Sequence, residues 1–327
     1  MNENIRKLKT TLTSTSVMAL LLALALFVVM ALTRSSDTQL TFWDWLATAV
    51  GAVLANSAML LFASAGQMVI ITSGGIDLST GAIMSTTACL TVEIMYGKNE
   101  MLVPAILACL AFGFVIGLIN GAGVAYIKIP ALILTLCMSN VLTKFQPIFT
   151  GAYPRGTVSE ELANVFSYRL FGVIPGIFLV AIGFYILVVI FFTRTQYGAR
   201  LNMVGTNYTA SMLTGIRARR VTMLSYAIGG LIAGLGGFVG AGYFRQLQIA
   251  TFDGYTMQSI AAVVIGGTLL SGGKSSYFGT FTGTLMLMTL SLFLSSINTA
   301  IPIRNVIMGA MLILLLIIYN RRPAVRQ

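Results

Sequence analysis

Histidine is absent from this chain of 327 residues, and only nine residues are Asp or Glu against twenty Lys or Arg. Charged residues make up 9% of the sequence, whereas soluble domains have roughly 25%. This shortage of charge, with 57% hydrophobic residues, predicts an all-α protein that crosses a membrane many times. Without histidine, we expect no transition-metal site, and we find no constellation of catalytic residues.

Cysteine is also sparse, and the three that occur fall inside apolar runs, at Cys89, Cys109 and Cys137. We expect them to be small buried hydrophobic residues rather than disulfide partners or ligands. The net charge of +11 would suggest a nucleic-acid partner in a soluble protein. Here basic residues gather at the ends of apolar runs, as they do on the cytoplasmic side of membranes, so no nucleic-acid partner is expected.

Apolar runs of about 20 residues mark membrane spans. They predict one transmembrane domain over residues 1–327, with a membrane core at 16–320 and both termini in the cytoplasm. Residues 151–172 form the longest segment expected outside the cytoplasm. The ten expected spans are Val17–Leu32, Leu46–Gln67, Ser79–Tyr96, Leu102–Val124, Ala131–Thr150, Val173–Thr193, Val221–Gly242, Met257–Leu270, Phe278–Leu294 and Ile303–Tyr319.

The most polar internal stretch, Arg194–Arg220, carries five arginines and no acidic residue between two apolar runs. This pattern predicts a cytoplasmic loop. Two interpretations are open: a surface helix that docks into a groove on a partner, or a solvated connector with basic flanks.

A short helix is expected inside this loop. Thr206 or Asn207 can cap its start, and Gly215 stands where a helix usually ends. Tyr208, Met212 and Ile216 recur at a spacing of four and predict an apolar stripe.

Two glycine-rich stretches interrupt the apolar sequence. In Ile71–Gly81, Gly74 and Gly75 free the backbone from helical angles. Asp77 or Ser79 can cap the next helix, or Asp77 can be a functional carboxylate in the membrane.

The second stretch, Ile265–Gly279, contains GGKSS. A phosphate-binding loop needs glycine five residues before its Gly-Lys-Ser, but Thr268 stands there, so we expect no nucleotide site. The two interruptions, in the two halves of the chain, raise the hypothesis of an internal repeat.

Uncharged amides are the main polar side chains expected within the spans. They can hydrogen-bond a neutral polyhydroxylated solute, or they can tie helices together. The candidates for a translocation pathway are Asn56, Gln67, Asn120, Asn140 and Gln146.

Four blocks of this sequence resemble the ribose-type permeases of ATP-binding cassette (ABC) importers. The blocks read SGGIDLSTG, GLINGAGVAYIKIPALILTL, TRTQYGARLNMVGTNYTASMLTGI and AAVVIGGTLLSGGKSSYFGT, and they lie at Ser73–Gly81, Gly117–Leu136, Thr193–Ile216 and Ala261–Thr280. They stand in the order of the family, although the third block lacks the acidic residues that are common in the family's coupling helix.

The resemblance implies a permease subunit in a bacterial inner membrane. A second permease, identical or a paralogue, would complete the pathway, two cytoplasmic ATPases would hold ATP and magnesium, and a binding protein would deliver a small polar solute, such as a monosaccharide, from outside. The chain itself would bind no cofactor. The loop at residues 194–220 would be the coupling loop, with its ATPase contacts at Thr206, Asn207, Tyr208, Ala210, Met212, Gly215 and Ile216.

The alternative function is an ion-coupled secondary transporter or facilitator. Such a protein needs ionisable groups within the membrane. Asp77 and Glu93 are the candidates, and both fall near the ends of expected spans.

Overall fold

The computed structural model describes residues 15–33 and 41–300, and residues 302–304, 306–307 and 309–310 of the last stretch. The described part is mostly helical. Its α-helices are α1 Thr15–Leu32, α2 Phe42–Thr72, α3 Thr80–Met95, α4 Leu102–Ala122, α5 Ala131–Thr150, α6 Glu160–Ser167, α7 Gly176–Arg194, α8 Gln196–Thr206, α9 Tyr208–Leu213, α10 Ala218–Phe244, α11 Tyr255–Ile265 and α12 Tyr277–Ser296.

Four further elements are short. A 3-10 turn, Asn99–Met101, leads into α4, and a π-helical turn, Gly123–Ile127, extends that helix. Strands β1 (Arg169–Leu170) and β2 (Ile174–Pro175) pair antiparallel. This hairpin departs from the expected all-α fold and occupies the first residues of the expected span Val173–Thr193, so that α7 begins only at Gly176.

Among the described residues, six helices are long and apolar enough to cross a membrane: α2, α4 with its two short extensions, α5, α7, α10 and α12. The chain is therefore a multi-pass membrane protein. Helices α1, α3 and α11 are apolar but shorter. The span expected at Met257–Leu270 is wrong as drawn, because α11 has 11 residues, a rise of about 17 Å, and the apolar core is about 30 Å thick. The tenth expected span lies mostly outside the described residues.

Helices α4 and α10 pack closely through glycines. A methyl group at Gly113 would overlap the carbonyl oxygen of Gly230, and one at Gly117 would overlap that of Tyr226. Small residues let two backbones approach where lipid gives no hydrophobic driving force, so this contact rests on close packing. It is the most extensive contact of α10, which also packs against α2 and α3 in the buried core.

The outer surface is apolar. Helix α5 exposes Leu132, Val141 and Ile148, and α7 exposes Leu187. Such side chains suit lipid or a second membrane subunit. Cys89 and Cys109 are buried as expected, but Cys137 is exposed on α5, so its predicted burial is wrong.

Candidate functional site

The first glycine-rich stretch ends α2 and turns the chain into α3. Gly74 has a φ of +87°, and the N–H groups of Gly74 and Gly75 donate to the carbonyls of Ile71 and Ile70 at 2.9 and 3.1 Å. This is a glycine-terminated helix end, which satisfies carbonyls that the helix leaves unpaired. At Gly75, a methyl group would overlap the hydroxyl of Tyr226, so glycine there admits a buried tyrosine ring.

Asp77 lies buried in the turn between α2 and α3. Its Oδ1 accepts hydrogen bonds from the Ser79 N–H at 2.7 Å and the Ser79 hydroxyl at 2.6 Å. Ser79 stands at the N-cap position of α3, but its side chain makes no capping hydrogen bond. The predicted capping of α3 by either side chain is therefore wrong: Asp77 braces the turn before the helix instead of its first amides.

Three neighbouring helices hold the same turn through polar side chains. The side-chain amide of Gln67, on α2, pairs with the backbone of Asp77. Its nitrogen donates to the Asp77 carbonyl oxygen at 3.1 Å, and its oxygen accepts from the Asp77 N–H at 3.2 Å. Asn120 of α4 donates to the Ser79 hydroxyl at 2.9 Å. Thr135 of α5 accepts from the Leu78 N–H at 2.9 Å. The broken backbone is thus satisfied inside the protein, as it must be in a membrane.

Two oxygens in this cluster have no partner among the described residues, namely Asp77 Oδ2 and Asn120 Oδ1. Both are buried. A buried polar atom without a hydrogen bond is costly, so this turn is a polar and incompletely satisfied point of the helical core.

The remaining amides from the sequence analysis do not join this cluster. Gln146 is buried and ties α5 to α3 and to the loop between α10 and α11, donating to the Thr86 hydroxyl at 3.1 Å and accepting from the Ala250 N–H at 2.9 Å. Asn140 is exposed on α5. Asn56 is half-buried and lines a cavity of about 170 Å³ with Tyr255, Gln258, Ser291, Ser295 and Arg304.

The second glycine-rich stretch ends α11 with the same hydrogen bonds. Gly267, at a φ of +95°, donates to Val264, and Thr268 donates to Val263. The helix ends at Gly215 and Asn298 repeat this pair of bonds. Because the turn recurs at ordinary helix ends, it does not argue for an internal repeat, which stays a hypothesis.

The two glycine-rich stretches meet at the end of α8. The N–H of Gly273 donates to the Thr72 carbonyl at 3.0 Å. A methyl group at Gly205 would overlap that same carbonyl oxygen, and one at Gly273 would overlap the Thr206 hydroxyl. We call these contacts among Thr72, Gly205 and Gly273 the glycine junction. It joins the end of α8, by direct backbone contact, to both glycine-rich stretches, which are called the two breaks below.

Helix α9 follows directly and has six residues. Asn207 caps it, with Oδ1 accepting from the Ala210 N–H at 2.9 Å, and Gly215, at a φ of +83°, ends it. Both expectations are confirmed. The alternative cap, Thr206, is wrong: it is the last residue of α8, and its hydroxyl donates to the Asn202 carbonyl at 2.8 Å.

The apolar stripe predicted for this helix is only partly present. Tyr208 and Met212 lie on α9 and are 38% and 44% exposed, but Ile216 lies beyond the helix and packs against the buried core. Leu213, which the spacing argument missed, is 85% exposed. Ala210 is exposed and lines an open groove between α8 and α9 with Met203, Thr206 and Asn207.

Sequence reasoning missed the partners that hold the first break. Tyr226 is fully buried and donates to the Ile76 carbonyl at 3.2 Å, and Ser225 and Ser73 hydroxyls lie 3.0 Å apart. These contacts join residues about 150 positions apart, so no local spacing could reveal them. The glycine junction was missed for the same reason.

Fold and site together define a multi-pass membrane protein with broken helices at a polar centre and a short surface helix connected to them. Residues 48–316 match the model of a family described as the permease component of the branched-chain amino acid transport system. The chain belongs to this family.

Curated relatives carry the names of import permeases. The chain is 29% identical over 278 residues to the ribose import permease RbsC of Escherichia coli, covering 83% of this chain and 85% of the relative. It is 34% identical over 244 residues to the fructose import permease FruF of Bifidobacterium longum, covering 72% and 67%. It is 29% identical over 284 residues to the autoinducer 2 import permease LsrC of an Enterobacter strain, covering 86% and 79%. No solved structure matches the chain.

Proposed function

We propose that this chain is the transmembrane subunit of an ABC importer in a bacterial inner membrane. It forms the translocation pathway for a small polar solute, most simply a monosaccharide, as the names of its relatives suggest. All of residues 1–327 serve as one permease domain, with about ten spans and both termini in the cytoplasm. A second permease, a binding protein outside and two cytoplasmic ATPases complete the importer.

The observation that carries the proposal is the direct path from α9 to both breaks. Helix α9 presents exposed side chains to a cytoplasmic partner. Its cap residue, Asn207, directly follows Thr206, the last residue of α8, so the two helices are joined without a linker. Thr206 contacts Gly273, which donates to Thr72 at the end of α2. Movement imposed on α9 therefore reaches the turn at Asp77 through backbone contacts. Because these backbones are closely packed, one cannot shift without displacing the other.

The proposed mechanism is alternating access. ATP closes the two partner ATPases, α9 follows them, and the glycine junction carries the shift into α2 and α3. The pathway then opens outward and later inward. ATP and magnesium belong to the partner ATPases in this mechanism, and none of its steps calls for a catalytic group or a metal ion on this chain.

The amides take two roles in this proposal. Gln67, Asn120 and Gln146 are buried and bonded to other helices, so they fix helix positions. Asn56 lines a polar cavity and is the better candidate for a contact with the solute. Asn140, exposed on α5, would reach the pathway only at a subunit interface.

A bulky residue at Ala210 tests the docking of α9. Ala210 is exposed, so Ala210→Trp should leave the fold intact while filling the groove between α8 and α9. We expect ATPase co-purification and ATP-driven uptake in proteoliposomes to fall by about tenfold or more, since a central contact of an interface is blocked. Ala210→Ser is the matched control and should behave as the wild type. Gly215 is a poorer site for this test, because its positive φ strains any other residue.

The ion-coupled alternative keeps one supporting observation, the buried Asp77 carboxyl, whose Oδ2 has no hydrogen-bond partner in the described part of the chain. Purified permease without ATPase distinguishes the two functions. Uptake that needs only an ion gradient would overturn the ABC assignment, whereas uptake that appears only with ATPase and ATP supports it.

A further inference from the structure

A cavity of about 490 Å³ lies beside α9 and is separate from the glycine junction. Helix α8, the α9–α10 connection and the first turns of α10 enclose it. Its lining residues are Tyr197, Arg200, Thr214, Gly215, Ile216, Arg217, Arg220, Val221 and Leu224. Three arginines thus face one cavity, and among the described residues its lining contains no Asp or Glu.

The positive charge of this cavity has no acidic neighbour in sequence. Between Glu161 and Asp253 the chain has no acidic residue. Arg200 donates to the uncharged Gln196 side chain at 3.2 Å, and Arg217 and Arg220 are exposed. Guanidinium groups gathered without a carboxylate favour an anion from outside the chain, and their planar donors match phosphate oxygens.

The position of the cavity indicates where that phosphate comes from. Arg220 is the third residue of the membrane-spanning helix α10, so the arginines stand at the level where a span leaves the apolar region. Ile216, Val221 and Leu224 add an apolar side to the same cavity. A basic pocket at the end of a membrane helix, with apolar side chains directly next to it, matches a phospholipid: phosphate on the arginines, the start of an acyl chain on the aliphatic residues.

We propose that this cavity binds the phosphate of an anionic phospholipid headgroup, with Arg200, Arg217 and Arg220 as its ligands. Thr214 and Gly215 belong both to the cavity wall and to the end of α9, so bound lipid would brace the connection between α9 and α10. The proposal needs only the membrane location of the chain. It does not depend on the solute or on the ATPase.

The test compares two double variants of the full-length chain in nanodiscs. Arg217→Gln with Arg220→Gln removes two cavity arginines. Arg194→Gln with Arg219→Gln is the matched control, because it removes the same charge from exposed arginines of the same loop outside the cavity lining. Size-exclusion chromatography confirms that both variants stay folded. Retention of phosphatidylglycerol and of phosphatidylcholine is measured by native mass spectrometry, with and without inorganic phosphate.

We expect wild type and control to retain phosphatidylglycerol over phosphatidylcholine, and the cavity variant to lose this preference by about thirtyfold. Arg217→Lys with Arg220→Lys should keep part of it, since charge remains but the planar fork does not. Equal retention in the cavity variant and the control would overturn the proposal. So would displacement of the lipid by millimolar inorganic phosphate, which would assign the cavity to a free anion. Unchanged lipid retention combined with lost ATPase binding would assign it to an acidic partner.

Discussion

Asp77 is the residue whose environment most sharply separates the possible functions. One carboxylate oxygen accepts two hydrogen bonds from Ser79, and the other has no partner among the described residues. A bracing role needs only the first oxygen, whereas ion coupling needs the ionisable group itself. The two roles therefore respond differently to an amide replacement.

We predict that Asp77→Asn keeps both fold and uptake, because the amide oxygen can still accept from Ser79. Asp77→Ala should leave the buried Ser79 N–H without that acceptor and cost about 1–3 kcal/mol of stability. Thermal unfolding of the purified protein and ATP-driven uptake are the measurements. If Asp77→Asn has the wild-type Tm but no longer transports, the carboxyl group itself acts in transport, and bracing the turn does not explain its role.

At the scale of elements, α9 is too short to be stable alone, since six residues form fewer than two turns. Its cap and its glycine end must therefore contribute a large share of its order. Asn207 satisfies the Ala210 N–H, and Gly215 lets the chain leave the helix at a positive φ.

We predict that Asn207→Ala destabilises α9 by about 1 kcal/mol. Coupled transport and ATPase binding should weaken while the global Tm stays nearly unchanged, because the cap is exposed and local. Asn207→Ser restores a capping oxygen and should rescue both. Thr209→Ala, which removes an exposed hydroxyl from α9 without changing its cap, is the comparison. An equal effect of Thr209→Ala and Asn207→Ala would contradict the assignment of the cap.

The contact of α4 with α10 sets the second element-scale prediction. Gly230→Ala puts a methyl group against the Gly113 carbonyl oxygen, where neither backbone can give way easily. We expect a loss of about 1–3 kcal/mol, seen as a lower Tm in detergent. Gly183→Ala on α7 is the control, since no described residue lies within 4 Å of its added methyl group, and it should be neutral or slightly stabilising.

At the scale of the whole molecule, most of the other proposals depend on the predicted orientation of the chain in the membrane. In a Cys137→Ser background, Phe171→Cys at the hairpin and Leu213→Cys on α9 use side chains that are 88% and 85% exposed. An impermeant maleimide should label the first variant in intact cells and the second only after permeabilisation. Leu187→Cys, lipid-facing on α7, should resist labelling in both conditions. Labelling at position 213 from outside would reverse the orientation and remove the coupling loop.

Much of the helical architecture was predictable because membrane spans follow from local composition. The runs that became α4, α5, α10 and α12 were placed within a few residues of their observed ends. The error at α11 has a physical reason: an apolar run can end at a tight glycine turn, and Gly267 stops the helix where hydropathy alone continues. The Asn207 cap and the Gly215 stop could also be predicted, since both act within a few residues.

The sequence by itself determined that this is a multi-pass helical protein, where its helices break and where its basic loop lies, because each follows from nearby residues. Only the tertiary structure decided that Gln67, Asn120, Thr135 and Tyr226 converge on one turn and that Gly205 and Gly273 join α8 to both breaks. Such contacts depend on how helices that are distant in sequence pack together. Glycine has no side chain, so its place in the sequence does not indicate which backbone it will contact.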